Sequence, residues 1–264
     1  IVKSNDSTNI PQSPQHQPIM VAEVLAFFGP VLSKRRYFDG TFGRGGHARA
    51  IKSTFPDIEM VLMDKDPSAV CVAEEEFKNK FGNVTTLHRA FSTFNKSELG
   101  EFDLALLDLG VSSPQLDQGE RGFSFYHDGP LDMRMDNSKG VSASEILQSL
   151  SENELNKIFI DFGEIQKPWR VTRAIVHDRR TNPFVSTRAL ASLIERVDGW
   201  RVKGHHPATR YFQALRMYVN DEVGELETAL PKVMDGLSLN GRLAVLTFHS
   251  IEDRIVKNLF RNSQ

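Results

Sequence analysis

The sequence predicts a doubly wound α/β domain that is interrupted by an all-helical insertion. Short, almost continuously apolar segments alternate with helical patterns from about residue 19 to residue 109, and helices without intervening strands follow. Strands that are apolar on both faces are typical of a parallel sheet covered by helices on both sides. A last apolar segment near the end of the chain is expected to return to this sheet.

The strands and helices of the α/β domain are predicted from apolar periodicity and from turn and cap residues. The predicted strands are Tyr37–Asp39, Glu59–Asp64, Val84–His88, Phe102–Leu109 and Arg242–Phe248. The predicted helices cover Met20–Phe28, Gly46–Ser53 and a segment from about Ile251. One more helix begins at Pro67, because Asp66 is a suitable N-cap and proline fits the first helical turn.

The helical insertion is predicted over residues 137–204. It follows residues 110–135, a segment rich in Gly, Ser, Pro and Asp, and loops of this length in compact domains are usually functional. Its helices are expected near Ser144–Leu150, from the capping box Ser151–Glu154 to Phe162, over Pro168–Arg179 and over Ser186–Val197. We therefore expect a mobile arm at 1–15, two parts of the α/β domain at 16–136 and 205–264, and the insertion between them. A long helical pattern precedes Gly241.

The composition excludes several classes of protein. The 264 residues include one cysteine, Cys71, so an internal disulfide and a zinc site built from several thiolates are ruled out. No segment reaches the roughly 18 apolar residues that a membrane span requires. With no secretory segment, a cytoplasmic protein without a membrane partner is expected.

The net charge of −2 conceals a strongly basic block. Residues 166–216 contain eleven Lys or Arg and three acids, a local charge of +8 that leaves −10 for the rest of the chain. Such a block indicates a surface for a phosphate backbone, and a solvated helical surface is the alternative. The candidate RNA contacts are Lys167, Arg170, Arg173, Arg179, Arg180 and Arg210.

A glycine-rich turn follows the first predicted strand. Residues 39–47 read DGTFGRGGH, which is not the GxGxxG spacing of dinucleotide-binding proteins. They fit Asp-x-Gly-x-Gly-x-Gly with Thr41 in the first glycine place, the pattern of S-adenosylmethionine (SAM) methyltransferases. Glycines there let the backbone approach a ligand closely, although an ordinary glycine-rich turn would also fit.

Three more residues lie where a SAM site requires them. Asp64 ends the second strand, where an acid accepts hydrogen bonds from ribose hydroxyls, and Asp108 ends the fourth, at the edge where ligands bind. Phe91 follows the third strand and is placed to lie against adenine. The alternatives are a helix cap for Asp64, a turn former for Asp108 and a core residue for Phe91.

The segment after Asp108 resembles half of a motif found in enzymes that methylate exocyclic base amines. In that motif, a side-chain oxygen and a backbone carbonyl next to proline accept the hydrogens of the amine, as electrostatic stabilisation requires. Asp108, Ser113 and Pro114 are the candidates for this role, and a plain Ser-Pro turn is the alternative. No residue is an obvious general base.

The chain resembles the MraW/RsmH methyltransferases over about residues 16–261. The resemblance rests on DGTFGRGGH at 39–47, LLDLGVSSPQLD at 106–117, ERGFSFYHDGPLDMRMD at 120–136, HPATRYFQALR at 206–216 and FHSIEDRIVK at 248–257. It implies a Rossmann-like class I SAM-dependent methyltransferase domain with an inserted helical domain. It also implies methyl transfer to N4 of a cytidine in 16S ribosomal RNA, with the RNA bound between the two domains.

The resemblance implies SAM contacts at seven positions, most of which the spacing had already indicated. These are Gly45, Gly46, His47, Asp64, Phe91, Asp108 and Gln115, and Gly43 belongs to the same turn. The expected partner is small-subunit ribosomal RNA, alone or in the assembled subunit, with no obligate protein partner. The alternatives are a SAM-dependent enzyme acting on another RNA, DNA or protein amine, a non-catalytic assembly factor that retains SAM and, more distantly, an NAD-dependent dehydrogenase. For the loop at 120–136 two roles are open: its turns hold the insertion against the SAM domain, or Arg121, Phe123 and Phe125 line the cytosine pocket.

Overall fold

The computed structural model describes residues 18–29, 36–199 and 206–262. At its centre lies a parallel sheet, which among these residues has five strands in the order β3-β2-β1-β4-β5. The strands are β1 (Arg36–Asp39), β2 (Glu59–Asp64), β3 (Val84–His88), β4 (Phe102–Asp108) and β5 (Leu237–Leu246). The predicted α/β class is confirmed. The strand order reverses between β1 and β4, which is where sheets of this kind bind ligands.

The helices follow the predicted order. Those before the insertion are α1 (Val21–Phe28), α2 (Gly46–Thr54), α3 (Pro67–Ala73), α4 (Lys96–Leu99) and α5 (Ser113–Asp117). The helices of the insertion and of the segment that follows it are α6 (Ala143–Ser149), α7 (Glu152–Asp161), α8 (Trp169–Asp178), α9 (Thr187–Asp198), α10 (Thr209–Asn220), α11 (Glu222–Asp235) and α12 (Ser250–Asn262). None of the described helices is long and apolar enough to cross a bilayer.

The sheet carries one apolar core on each face. Alternate residues of a strand point to opposite faces, so Tyr37 of β1 joins a cluster with α1, α2 and α3, and Phe38 joins a cluster with α11 and α12. Both side chains are fully buried. This two-sided burial explains why the strands are apolar throughout and why their positions could be predicted from sequence.

The helical layer has its own core, which extends beyond the predicted insertion of 137–204. Its buried cluster unites α6 to α9 with Leu131 and Met133 of the preceding loop and with Tyr211 and Leu215 of α10. The α10 helix therefore packs in the helical layer, although it lies in the segment predicted as the second part of the α/β domain. The predicted arm at 1–15, together with Arg201 and Lys203 of the basic block, lies outside the described residues.

Most predicted boundaries agree with the structure to within one residue, and the two larger differences lie near the end of the chain. The single long helix expected before Gly241 is two helices, because Asp221 adopts a left-handed conformation with φ of +50° between α10 and α11. The last strand begins at Leu237 and ends at Leu246, where Arg242–Phe248 was expected. Its register against β4 shifts, and Asn240, with φ of +64°, lies in the irregular stretch.

Candidate functional site

Three acidic residues meet at the carboxyl edge of the sheet, around the point where the strand order reverses. Asp39, Asp64 and Asp108 are the last residues of β1, β2 and β4, and β1 pairs with both of the other strands. The backbone N–H of Gly40 donates to the carbonyl of Leu106 at 3.1 Å, so the turn after β1 lies directly against β4. Parallel pairing therefore brings together residues that are distant in sequence.

The glycine turn is tied to both neighbouring strands. The N–H of Gly43 donates to Asp64 Oδ2 at 2.7 Å, and Gly43 and Gly45 have φ of +55° and +71°, which disfavour other residues. Thr41 departs from the three-glycine pattern for a structural reason, because its hydroxyl accepts a hydrogen bond from the N–H of Asp108 at 2.6 Å. Gly46 begins α2 directly after this turn.

His47 and Asp108 present buried polar atoms to this edge. His47 is 6% exposed, and neither of its ring nitrogens has a hydrogen-bond partner among the described residues. Its Nε2 lies 3.5 Å from Asp108 Oδ2, while Asp108 Oδ1 is also without a hydrogen-bond partner in the described chain. Buried polar groups are normally satisfied, so these atoms mark a place where a polar ligand fits.

Burial shifts two of the three carboxyl groups toward their neutral forms. It raises the pKa of Asp39 to about 7, although the hydrogen bond from Tyr37 and the proximity of His47 act in the opposite direction. It also raises the pKa of Asp64 to about 6, against the backbone hydrogen bonds from Asp66 and Gly43. The edge is therefore a desolvated place in which hydrogen bonds from a ligand are strengthened.

The segment with the candidate amine acceptors lies beside the glycine turn. A Cβ atom added to Gly43 would lie 3.8 Å from the Cβ of Ser112, and Ser113 and Pro114, which are partly exposed, open α5. Gln115, in contrast, is 5% exposed. Its Oε1 accepts from the N–H of Ser112 at 2.9 Å and its Nε2 donates to Asp66 Oδ2 at 2.9 Å. Both ends of this amide already have protein partners.

Phe91, which was predicted to contact the cofactor, and Phe123 and Phe125, which were predicted to line the cytosine pocket, are all partly or fully buried. Phe91 begins a short helical turn after β3 and packs, partly exposed, against the core cluster that contains Phe38. Phe123 is 5% exposed and Phe125 packs against Phe212 in the helical layer, with ring centroids 4.9 Å apart. These two phenylalanines therefore join the loop to the protein core.

The predicted RNA contacts differ in how accessible they are. Those with exposed side chains are Lys167, Arg170, Arg173, Arg180 and Arg210. Arg179 is partly buried, and its Nη1 donates to the carbonyls of Leu147 and Leu150, both at 2.6 Å, where it satisfies the end of α6. Trp169 is 43% exposed on the same helix as Arg170.

A second polar cluster links α10, α11 and α12. Glu222, His249 and Glu252 offer ligand atoms that all lie within 4.8 Å of one another. Arg216 already donates to both oxygens of Glu222, at 2.7 and 2.8 Å, and Glu252 Oε2 accepts from the N–H of Phe248. This arrangement is a partly buried ion-pair network that ties the three helices together.

Long-range contacts of Asp66 and Asn220 were not predicted. Asp66 was expected only as a helix cap, and it also accepts from Gln115, 49 residues away in sequence. Asn220 is 4% exposed and holds the backbone of Met133 and Met135, with hydrogen bonds of 2.7 and 2.8 Å. No local pattern indicates such contacts. In the sequence, each of these contacts was indicated only by a polar residue that lies near a motif.

Comparison with known proteins identifies similar sequences along most of the chain. The profile of the MraW methylase family matches residues 13–264. The ribosomal RNA small subunit methyltransferase H of Bdellovibrio bacteriovorus is 54% identical over 256 residues, which cover 96% of this chain and 78% of that protein. The proteins of the same name from Neisseria meningitidis serogroup B and Desulfovibrio desulfuricans are each 46% identical, covering 85% and 94% of this chain and 70% and 78% of their own lengths.

Proposed function

This chain belongs to the MraW methylase family and is a SAM-dependent methyltransferase, and we propose that it methylates the exocyclic N4 of a cytidine in 16S ribosomal RNA. The observation that carries the proposal is the convergence of Asp39, Asp64 and Asp108 at one sheet edge. The loop with Ser113 and Pro114 lies beside the same edge. This arrangement supports a site in which the cofactor and the acceptor amine are held side by side.

The residues at this edge fit SAM. The polar atoms of His47 and Asp108 that lack a hydrogen-bond partner among the described residues suit a ligand with charged amino and carboxyl groups, and Asp64 can accept hydrogen bonds from ribose hydroxyls. When bound, SAM supplies a methyl group on a positively charged sulfur. The proposed contacts are Gly43, Gly45, Gly46, His47, Asp64, Phe91, Asp108 and Gln115.

We assign activation of the amine to Asp108, Ser113 and the backbone next to Pro114. The lone pair of a cytosine N4 is conjugated into the ring, and acceptors for its two hydrogens favour a pyramidal nitrogen that can attack the methyl carbon. Positive charge then develops on the nitrogen close to these oxygens, which stabilises the transition state. With SAM bound at this edge, the methyl group would pass from its sulfur to the nitrogen, and the nitrogen would lose a proton to water. Alignment of the two reactants supplies the remaining catalysis.

RNA is proposed to bind across the exposed basic side chains of the helical layer. Lys167, Arg170 and Arg173 lie on or beside the first turns of α8, and Trp169 among them offers a partly exposed ring for base stacking. The acceptor cytidine must be unpaired or flipped for its N4 to reach the cofactor. Arg179 supports α6, so the other five basic residues supply the proposed phosphate contacts.

The acceptor is proposed to be ribosomal RNA, in the free form or in the assembled subunit, and the reaction is proposed to occur in the cytoplasm. SAM labelled in its methyl group, incubated with purified small subunits from a strain that lacks the enzyme, tests this assignment. Label in the RNA fraction supports it. Label in ribosomal protein, or label in a DNA control and none in the subunit RNA, would favour the other amine substrates. No transfer at all would favour a non-catalytic assembly factor.

A further inference from the structure

The two carboxylate oxygens of Asp66 contact different parts of the protein. It is 3% exposed, and its Oδ1 caps α3 by accepting from the N–H of Ser68 at 2.9 Å and from the hydroxyl of Ser68 at 2.8 Å. Its Oδ2 accepts from Gln115 Nε2 and from Arg121 Nη1, both at 2.9 Å. The cap requires only the first oxygen, so the second oxygen is available to join two other segments.

The branch through Gln115 leads to the loop that carries the candidate amine acceptors. Gln115 Oε1 accepts from the N–H of Ser112 at 2.9 Å and closes the capping box of α5. The amide of Gln115 is therefore fixed at one end by Ser112 and at the other by Asp66. Because Ser113 and Pro114 lie inside this closed turn, the orientation of their acceptor oxygens depends on where Asp66 holds Gln115.

The branch through Arg121 leads to the helical layer. Arg121 Nη2 donates to the carbonyl of Met135 at 2.9 Å, and the N–H of Met135 donates to Asn220 Oδ1 at 2.8 Å. Asn220 is the last residue of α10, which packs in the helical core. One carboxylate thus joins the segment after the cofactor strand β2, the acceptor loop and the layer proposed to hold the RNA.

The surroundings of Asp66 keep it ionised. Burial raises its pKa, but the hydrogen bonds from Ser68 and Gln115 and the charge of Arg121 together lower the pKa below its ordinary value. A largely buried ion pair of this kind is costly to break, because the charge that remains is left without a partner. The ion pair with Arg121, which is 12% exposed, is therefore a fixed geometric element.

We propose that Asp66 is a positioning residue for methyl transfer, holding the Ser112–Pro114 loop through Gln115 and the RNA-binding layer through Arg121 in register with the cofactor. This inference rests on the proposed function for the nature of the acceptor. It predicts that disturbing Oδ2 lowers turnover much more than it weakens SAM binding, because of the proposed SAM contacts only Gln115 depends on that oxygen, whereas the glycine turn, His47 and Asp64 do not. A displacement of about 1 Å between reactants can cost about 100-fold in rate.

The test compares Asp66→Asn with two variants that distinguish the α3 cap made by Oδ1 from the contacts made by Oδ2. The amide introduced by Asp66→Asn keeps an oxygen for the α3 cap but turns an NH₂ group toward two donors. Arg121→Gln removes the second branch and leaves the cap intact, and it decides the question if the first variant does not fold. Ser68→Ala is the matched control, because it weakens the cap and leaves Oδ2 untouched.

We expect kcat to fall 10- to 100-fold for Asp66→Asn and Arg121→Gln, with the Kd for SAM within about threefold of the wild type. The double variant should lose little more than Asp66→Asn alone, since that variant already breaks the contact with Arg121. Ser68→Ala should keep kcat within about twofold even where its Tm falls. A kcat near the wild-type value for folded Asp66→Asn or Arg121→Gln, or an equal loss of kcat in Ser68→Ala, would overturn the proposal. These ratios are measured on whichever acceptor the wild type methylates, so a wrong acceptor assignment would be seen separately.

Discussion

His47 Nε2 lies 3.5 Å from Asp108 Oδ2 and thereby links the glycine turn after β1 to the end of β4. The two strands are neighbours at the point where the strand order reverses, so the contact crosses the place where the sheet opens to a ligand. Buried polar atoms remain unsatisfied on both residues within the described chain. The pair is therefore placed to bind the polar groups of a ligand.

Replacing Asp108 with alanine should weaken SAM binding by about 10- to 100-fold. The change removes a partly buried charged acceptor, and hydrogen bonds to charged groups contribute about 1.5–3 kcal/mol each. Isothermal titration calorimetry gives the Kd directly. The exposed Asp235→Ala serves as the control, with its side chain 74% exposed on the far end of α11. Unchanged affinity in Asp108→Ala would remove this residue from the cofactor site.

The stability of the ligand-free protein should depend on pH through Asp39. Its pKa is about 7 in the folded protein and 3.8 in the unfolded chain, so between these values the folded state binds more protons. The free energy of unfolding therefore falls as pH rises through this window, by up to about 1.4 kcal/mol per pH unit. Asp39→Asn lacks this contribution. Urea denaturation should show the wild type losing stability relative to Asp39→Asn between pH 5 and pH 7, and a constant difference would contradict the burial argument.

Reversing the charge of Arg170 and Arg173 should weaken RNA binding and flatten its salt dependence. Each phosphate contact that is lost reduces the slope of log K against log salt by about 0.7–0.9. The matched control is Lys78→Glu with Lys80→Glu, which makes the same change in net charge on the α/β domain. Filter binding over a range of salt concentrations measures the slope. The same slope for Arg170→Glu with Arg173→Glu as for the wild type would place the RNA elsewhere.

The α/β domain could be predicted closely because its signals are local. The structure reproduces the predicted bounds of Glu59–Asp64 and Val84–His88, where apolar segments end at polar turn residues. The N-cap at Asp66 and the capping box at Ser151 and Glu154 are also confirmed, since each depends on residues within three positions of one another.

The features that could not be predicted depend on contacts distant in sequence. The break at Asp221 lacks the usual glycine or proline signal, and an ordinary helical pattern does not reveal that its backbone is left-handed. The dipeptide Asn240-Gly241 is typical of a turn. In the structure it lies inside β5, because β4 pairs with this strand on both sides of the irregular stretch. The two tasks of Asp66 and the core role of Phe123 likewise require the folded arrangement.

Methyl transfer to N4 of a cytidine is tested most directly by mapping the methyl group that the enzyme adds to small subunits. The subunits are purified from a strain that lacks the enzyme. Ribosomal RNA is digested after reaction with labelled SAM, and mass spectrometry identifies the modified nucleoside and its position. We expect a single N4-methylated cytidine, formed by the wild type and lost in Asp108→Ala. A methyl group on another nucleoside or on C5 of cytosine, or the same product formed by Asp108→Ala, would contradict this expectation.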